Sequence, residues 1–491
     1  MRRTLFALLL LVPVVAAQSA PPVADSFDGV RALIRRQMTE RQVPSVAVAV
    51  ARDGRIVWEE AFGWADRENR APATPHTLYS LASISKPITA TGLMILKERG
   101  LVDLERPINH YLGDAKINVR IGDPAAATVR KVANHTAGLP LHYQFFYEDE
   151  PYRAPSRDET ILRYGNTVTA PGERYHYSNL GYGILDHVIS RVSGKSYADF
   201  MRTEVFVPLG LTHMSVDVDA ALQKQQAVRY GTDGMPIPFY GFDHPGGSAI
   251  YASAHDLVRF GMFHLKSHLP DQKPILSDRA IDEMQQPTAD AGNGQGYGIG
   301  WATNEYAGGR RSVSHTGGMG GVSTALRLFP AEKVAIVVLT NAGSHPVTGQ
   351  VMNEIVGALF PGAAPRPPAP AIPGASRFEP PGELIGTWSG QVHTPRASVP
   401  FTLEIKSDGD VHARLGTQLQ TLLNRVSQAN GYLTGTMMGD IGTEDASRTP
   451  HTLSVTLKLR GTALVGGMTA MSLPARRVGN ALTHWVELKK E

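Results

Sequence analysis

Ser83-Ile84-Ser85-Lys86 places a hydroxyl and an amine three residues apart. A serine hydroxyl is a weak nucleophile until a neighbouring base takes its proton, and positions i and i+3 of a helix share a face. If Ser83 opens the helix that follows, Lys86 lies one turn on and within reach. The helix N-terminus would then favour the negative charge that develops at the reacting centre. Pro87 agrees with such a start, because its missing N–H falls in the first turn, where no intrahelical partner exists. Alone the spacing is a weak signal; a surface Ser and Lys at a helix start would look the same.

Two further groups follow in a consistent order. Tyr177-Ser178-Asn179 immediately precedes an apolar helical pattern beginning at Leu180, so Tyr177 and Asn179 sit where a loop enters a helix. A phenol beside a buried ammonium can have its pKa lowered enough to act as a base, and Asn179 could hold Lys86 or a substrate amide. His315-Thr316-Gly317-Gly318 lies at the start of a strand pair near the end of the same region. Its glycines let backbone approach a ligand closely, with the Gly318 N–H as one oxyanion donor and the Ser83 N–H as the other.

Together these groups resemble the Ser-x-x-Lys, Tyr-x-Asn and Lys-Thr-Gly motifs of the serine β-lactamase and penicillin-binding superfamily, nearest its class C β-lactamase branch with esterase and D-aminopeptidase relatives. Framework residues extend the resemblance over roughly residues 30 to 345: Thr77-Leu78-Tyr79-Ser80-Leu81-Ala82, Asn134-His135-Thr136-Ala137-Gly138-Leu139, Gly246-Gly247-Ser248 with Ser253-Ala254-His255-Asp256-Leu257, and Tyr297-Gly298-Ile299-Gly300-Trp301. The resemblance implies acyl transfer to water through a Ser83 acyl-enzyme. Tyr177 with Lys86 would accept the Ser83 proton, and His315 would orient the substrate or assist proton transfer. Which of Tyr177 and Lys86 is the formal base stays open, because two coupled groups titrate as a pair. Asn179, Thr316, Gly317 and Gly318 would bind the substrate or its oxyanion.

One departure narrows the substrate. The third motif begins with His315 where the family has Lys, and a neutral imidazole does not offer a carboxylate the permanent cation that Lys does. This favours an ester, a small amide or a peptide, including one with D-amino acids. A true class C-like β-lactamase or DD-peptidase is the alternative, and a non-catalytic binding protein that keeps the fold is a second. The residues imply neither metal nor cofactor. His264 and His268 are four apart but lack the Glu of a His-Glu-x-x-His site, His135 and His176 read as hydrogen-bonded structural histidines, and no Gly-x-Ser-x-Gly elbow occurs. The stretch Tyr143 to Glu150 is aromatic and acidic, and reads equally as a pocket wall, a lid or an ordinary solvated loop.

The elements that must position these groups are also legible. A helix over Val30 to Met38 precedes two strands, Val43 to Ala51 and Ile56 to Phe62, joined by the hairpin signal Asp53-Gly54. Gly321 to Phe329 and Lys333 to Asn341 form a second hairpin around Pro330-Ala331, and the continuously apolar Val334 to Leu339 reads as a central strand. Helices are expected over Ile84 to Gly100 and Leu180 to Val192, with Ser253 and Asp256 capping another. The expected fold is α/β (α+β), an antiparallel sheet closed by the two ends of the domain and flanked by helices.

The 491 residues allow more than one domain. Met1-Arg2-Arg3, the apolar run Leu5 to Val15 and the small residues to Ala17 read as a cleaved signal peptide (1–17, possibly to 20), and hence as an exported, periplasmic or secreted protein without stable membrane insertion after cleavage. The hydrolase-like domain spans about 25–360, a proline-rich linker 361–381, and short alternating strands over 382–491 suggest a small antiparallel β-barrel. That barrel resembles the lipocalin-like domain of some relatives, which implies a role over the active-site mouth or in oligomer assembly; a passive stability domain fits its residues equally. A net charge of +3 without a basic cluster argues against a nucleic-acid partner, and the absence of cysteine excludes disulfides and thiolate chemistry.

Overall fold

The protein is described here by a computed structural model covering residues 27–218, 222, 224–343, 345–362 and 377–491. The expected signal peptide and most of the proline-rich linker lie outside the described residues.

Nine strands make the main antiparallel sheet: β1 (Ser45–Arg52), β2 (Arg55–Asp66), β3 (Ala71–Pro72), β4 (Ala289–Gly292), β5 (Gln295–Tyr297), β6 (Ala302–Ala307), β7 (Arg310–Met319), β8 (Val322–Phe329) and β9 (Val334–Thr340), in the order β3-β2-β1-β9-β8-β7-β6-β5-β4. Asp53 and Gly54 turn β1 into β2 with φ of 49° and 75°, the positive values a two-residue hairpin turn needs. β9 is central as expected, pairing β1 on one side and β8 on the other.

Period-two alternation along β1 and β9 explains both layers. Val46, Val48, Val50, Val334, Ile336 and Val338 face α1 (Asp28–Arg41) and the helix His345–Leu359. Ala47, Ala49, Ala51, Val337 and Leu339 face the larger core that holds α2 (Ser85–Glu98), α3 (Asn179–Ser193) and α4 (Ala254–His264). The alanines let α4 come close: a Cβ on its Gly261 would stand 3.1 Å from that of Ala335. Each fully buried Val or Leu contributes about 1.5–3 kcal/mol, so these strands and helices fix one register. α2 is buried at every position from Ser85 to Leu96, and its buried Thr89 and Thr91 hydroxyls donate to the Ser85 and Pro87 carbonyls. That burial carries Lys86 into the core.

Beyond residue 377, nine more strands form a second antiparallel sheet: β10 (Gly386–His393), β11 (Ser398–Ile405), β12 (Val411–Leu415), β13 (Thr421–Leu422), β14 (Asn424–Ala429), β15 (Tyr432–Met437), β16 (His451–Arg460), β17 (Ala463–Ser472) and β18 (Ala481–Lys490), ordered β13-β12-β11-β10-β18-β17-β16-β15-β14. Its two edge strands, β13 and β14, are separated in sequence only by Leu423. The sheet therefore curls into a nearly closed barrel.

The aromatic, acidic stretch is neither a solvated loop nor a free lid. Phe145–Tyr147 is a buried strand paired with Tyr240–Phe242, and the barrel clamps it. Asn480 Oδ1 accepts from the Phe145 N–H at 3.2 Å, Tyr147 donates to the Val478 carbonyl at 2.9 Å, and Arg448 and Arg477 pair with Glu150.

Candidate active site

Ser83 lies in a 3₁₀ turn, Ala82–Ile84, that runs directly into α2 at Ser85. The nucleophile thus precedes the helix rather than opening it, and the continuous turn preserves the one-turn reach to Lys86. Ala82 has φ of 48°, a left-handed conformation that strains a non-glycine residue and needs outside support. Support comes from both sides: Leu81 N–H donates to the Ile250 carbonyl at 2.9 Å, and Thr324 Oγ1 donates to the Leu81 carbonyl at 3.0 Å. Gly317 on β7 makes this possible, because a Cβ there would stand 2.1 Å from the Leu81 oxygen and 3.1 Å from the Ala82 Cβ.

Lys86 is fully buried, and its Nζ meets three oxygens: Ser83 Oγ at 3.1 Å, Asn179 Oδ1 at 2.7 Å and the Gly247 carbonyl at 3.0 Å. Burial without a countercharge pushes its pKa well below the usual lysine range. A neutral amine has two N–H donors and one lone pair. That inventory matches two obligate acceptors, Asn179 Oδ1 and Gly247 O, plus one hydroxyl able to donate, Ser83. Asn179 is oriented by its other end, where Nδ2 donates to the His142 carbonyl at 3.1 Å.

Tyr177 is hydrogen-bonded to Ser83, and its ring lies 4.7 Å from Lys86 Nζ. The expectation that its phenol is acidified does not hold. Burial pushes the Tyr177 pKa up, outweighing the Ser83 hydrogen bond, because no fixed cation faces it once Lys86 is neutral. His135 packs on Tyr177 at 4.5 Å between ring centroids and on Tyr297 at 4.7 Å, and its Nδ1 accepts from the Ser178 N–H at 3.1 Å. This structural histidine therefore fixes the Tyr177 loop. His176 is partly buried, and desolvation lowers its pKa to about 4. His264 is likewise a core residue, 2.9 Å from Thr91 Oγ1.

The register of β7 with β8 sorts the third motif. His315 and Gly317 pair with Leu326 and Thr324 on the side facing Ser83, whereas Thr316 and Gly318 pair with Ala325 and Ser323 on the opposite side. Thr316 accordingly lines a separate cavity of about 270 Å³ with Thr348 and Met352. Its side chain is not gathered with Ser83, Lys86 and Tyr177, a correction that follows from strand alternation once the register against β8 is fixed. Its carbonyl lies 2.8 Å from His315 Nδ1, and the Tyr297 hydroxyl is 3.0 Å from His315 Nε2. A carbonyl only accepts, so Nδ1 carries the hydrogen and Tyr297 donates to Nε2. Burial lowers the His315 pKa to about 3. His315 is therefore neutral, with both nitrogens engaged.

Behind Lys86 lies a group that motif reading did not find. Asp243 Oδ2 is 2.7 Å from His142 Nε2, and Asp243 Oδ1 is 2.7 Å from His244 Nδ1, all three side chains being buried. Burial alone would raise the carboxyl, but the two imidazoles hold it ionised, well below its usual range. His142 supplies the carbonyl that orients Asn179. His244 packs against Gly247, where a Cβ would lie 3.2 Å from its Cδ2. One carboxylate thus braces both carbonyl-type acceptors of Lys86. In the sequence, Asp243-His244 flanks the Gly246-Gly247 framework motif, but nothing there links it to His142.

Residues 30–358 match the beta-lactamase family. Penicillin-binding protein 4* of Bacillus subtilis is 28% identical over 323 residues, covering 60% of this chain and 67% of that protein. Protein flp of Staphylococcus aureus (strain MRSA252) is 24% identical over 330 residues, covering 66% of this chain and 64% of its own length. Among solved structures, SurE superposes with a TM-score of 0.65 at 21% identity over 95% of this chain and 99% of SurE. An octameric penicillin-binding protein homologue from Pyrococcus abyssi gives 0.58 at 21% identity over 94% and 99%. A class C beta-lactamase gives 0.59 at 21% identity over 68% of this chain and 97% of its own. The fold these structures share with the chain extends, in the first two, through the C-terminal barrel.

Proposed function

The chain belongs to the beta-lactamase family, and we propose that it is an acyl-enzyme serine hydrolase with Ser83 as nucleophile. The observation that carries this reading is the buried Lys86 amine, 3.1 Å from Ser83 Oγ and held on its other two sides by Asn179 and Gly247. Neutral Lys86 takes the Ser83 proton as Oγ attacks the substrate carbonyl. The N–H groups of Ser83 and Gly318 stabilise the oxyanion. Collapse expels an alcohol or amine, and Tyr177, a neutral phenol, relays the proton from Lys86 to that leaving group. Water then attacks the acyl-enzyme, Lys86 and Tyr177 taking its proton; the Oγ–acyl bond breaks, the acid leaves, and the proton passes back to Ser83 Oγ.

The substrate class follows from His315. A neutral imidazole fixed by Tyr297 and the Thr316 carbonyl offers no charge to a substrate carboxylate, which supports esters, small amides and peptides lacking a free carboxylate near the scissile bond. Hydrolysis of lactams is the second reading, favoured by the Ser83, Lys86, Tyr177 and Asn179 arrangement itself. Comparing kcat/KM on a p-nitrophenyl ester, a D-alanyl amide and a chromogenic cephalosporin decides between them; a dominant cephalosporin rate overturns the first. Export belongs to the same proposal and rests on the basic, apolar and small residues of the first 17 positions. Assembly through the barrel is also proposed, supported by the octameric homologue of matching architecture; light scattering of the full chain tests it.

A further inference from the structure

We propose that Glu59, His76 and His255, with His213 beside them, form a binding site for a zinc-type divalent transition metal, separate from the Ser83 cleft. One ligand atom from each of Glu59, His76 and His255 lies within 4.8 Å of the other two, and His255 Nδ1 is already 2.8 Å from Glu59 Oε2. The His76 ring lies 4.7 Å from that of His255 and 5.2 Å from that of His213. Two imidazoles and a carboxylate are the ligand set of zinc sites that keep an open position. Zinc–ligand bonds of about 2.0–2.2 Å put ligand atoms about 3.3 Å apart in a tetrahedron, so small side-chain rotations close the present spacing. His213 or water supplies the fourth ligand.

The backbone beneath is tied together already. The His255 N–H donates to the Pro75 carbonyl at 3.2 Å, the Ser253 N–H to the His213 carbonyl at 3.0 Å, and the His213 N–H to Asp256 Oδ2 at 2.5 Å. The Pro75–His76 loop, the 212–214 segment and the first turn of α4 are thereby tied to one another beside β2, which carries Glu59. Glu59 and His255 are part-exposed, and His76 is exposed, so an ion enters without unfolding. The second cluster of this kind, His142, Asp243 and His244, is fully buried, and its carboxylate oxygens are both hydrogen-bonded. The sequence hides the exposed site because its members come from four distant segments with no motif spacing.

The test uses the untagged full chain, freed of metal by chelation and dialysis, titrated with zinc chloride alone by calorimetry and with cobalt(II) by visible spectroscopy. We expect one equivalent bound, a cobalt spectrum of nitrogen and oxygen ligands in tetrahedral geometry, and a raised thermal midpoint at saturating zinc. His76→Ala and Glu59→Gln, both at part-exposed or exposed positions, should weaken binding at least tenfold with the metal-free thermal midpoint unchanged. Equal affinity in wild type and both variants overturns the proposal, as does binding that Asp243→Asn abolishes while His76→Ala leaves it intact.

Discussion

Replacing Asp243 by asparagine tests whether the buried carboxylate positions the catalytic lysine. Asp243 accepts from two imidazoles at 2.7 Å each. An amide offers one oxygen and one donating NH₂, so only one histidine keeps its partner unless a tautomer changes. Losing a hydrogen bond to a charged group costs about 1.5–3 kcal/mol; the isosteric shape and the surviving hydrogen bond place Asp243→Asn near the lower end. The functional effect comes through geometry. His142 holds Asn179, and His244 holds Gly247, so a loosened brace shifts the two acceptors that aim the Lys86 lone pair at Ser83. A displacement of about 1 Å at a catalytic group can cost about 100-fold in rate. We expect kcat to fall about 10- to 100-fold with KM changed less than about threefold, the pattern of a lost transition-state contribution. The acid limb of kcat/KM should also move, because Lys86 sheds its proton less readily without its ordered acceptors. The assay is a pH series on the best ester substrate, with thermal unfolding measured on the same samples. A stability loss of the expected size with kcat and the acid limb unchanged would refute the positioning role.

Gly317→Ala drives a Cβ against the Leu81 carbonyl; kcat/KM should drop at least about 100-fold while unfolding shifts by only about 1–3 kcal/mol, and unchanged kinetics would show that the strand yields freely. His264, His315 and His484 are buried and His176 is partly buried, with pKa values of about 3, 3, 4 and 4. Their folded values lie below the unfolded value of about 6.5, so the unfolded chain binds more protons between those limits and stability falls as pH drops from 6.5 toward 3, by up to about 1.4 kcal/mol per pH unit for each histidine. Denaturant titrations at pH 7, 6 and 5 check this, and a flat profile contradicts it. Arg448 lies between the rings of Phe146 and Tyr152 at 4.6 and 4.5 Å and donates to the Phe145 carbonyl. Arg448→Ala should speed hydrogen exchange over residues 145–152, and protection equal to wild type would show that the barrel does not hold that segment.

What the sequence reveals and what it hides divide along physical lines. Ser83, Lys86, Tyr177 and Asn179 are legible because helix and loop spacing is local, and β1, β2, β8 and β9 because alternation and Asp-Gly chemistry are local too. The side of β7 that Thr316 faces depends on cross-strand register with Ala325, which no motif encodes. The rise in the Tyr177 pKa depends on how dry the site is, and that follows from α2 being buried throughout. Asp243 is invisible because its partners are set by tertiary folding. β10 carries only weak alternation, because Gly390 stands where a side chain would strike Glu487, a Cβ there being 2.0 Å from that carbonyl oxygen.

If Ser83 is the nucleophile, it carries the acyl group. Intact-protein mass spectrometry after incubation with a fluorophosphonate, followed by peptide mapping, measures it directly. We expect a single adduct on Ser83, absent in Ser83→Ala and strongly slowed in Lys86→Met, with hydrolysis of every tested ester, amide and lactam lost in Ser83→Ala. An adduct on another residue, or full turnover by Ser83→Ala, would contradict that expectation.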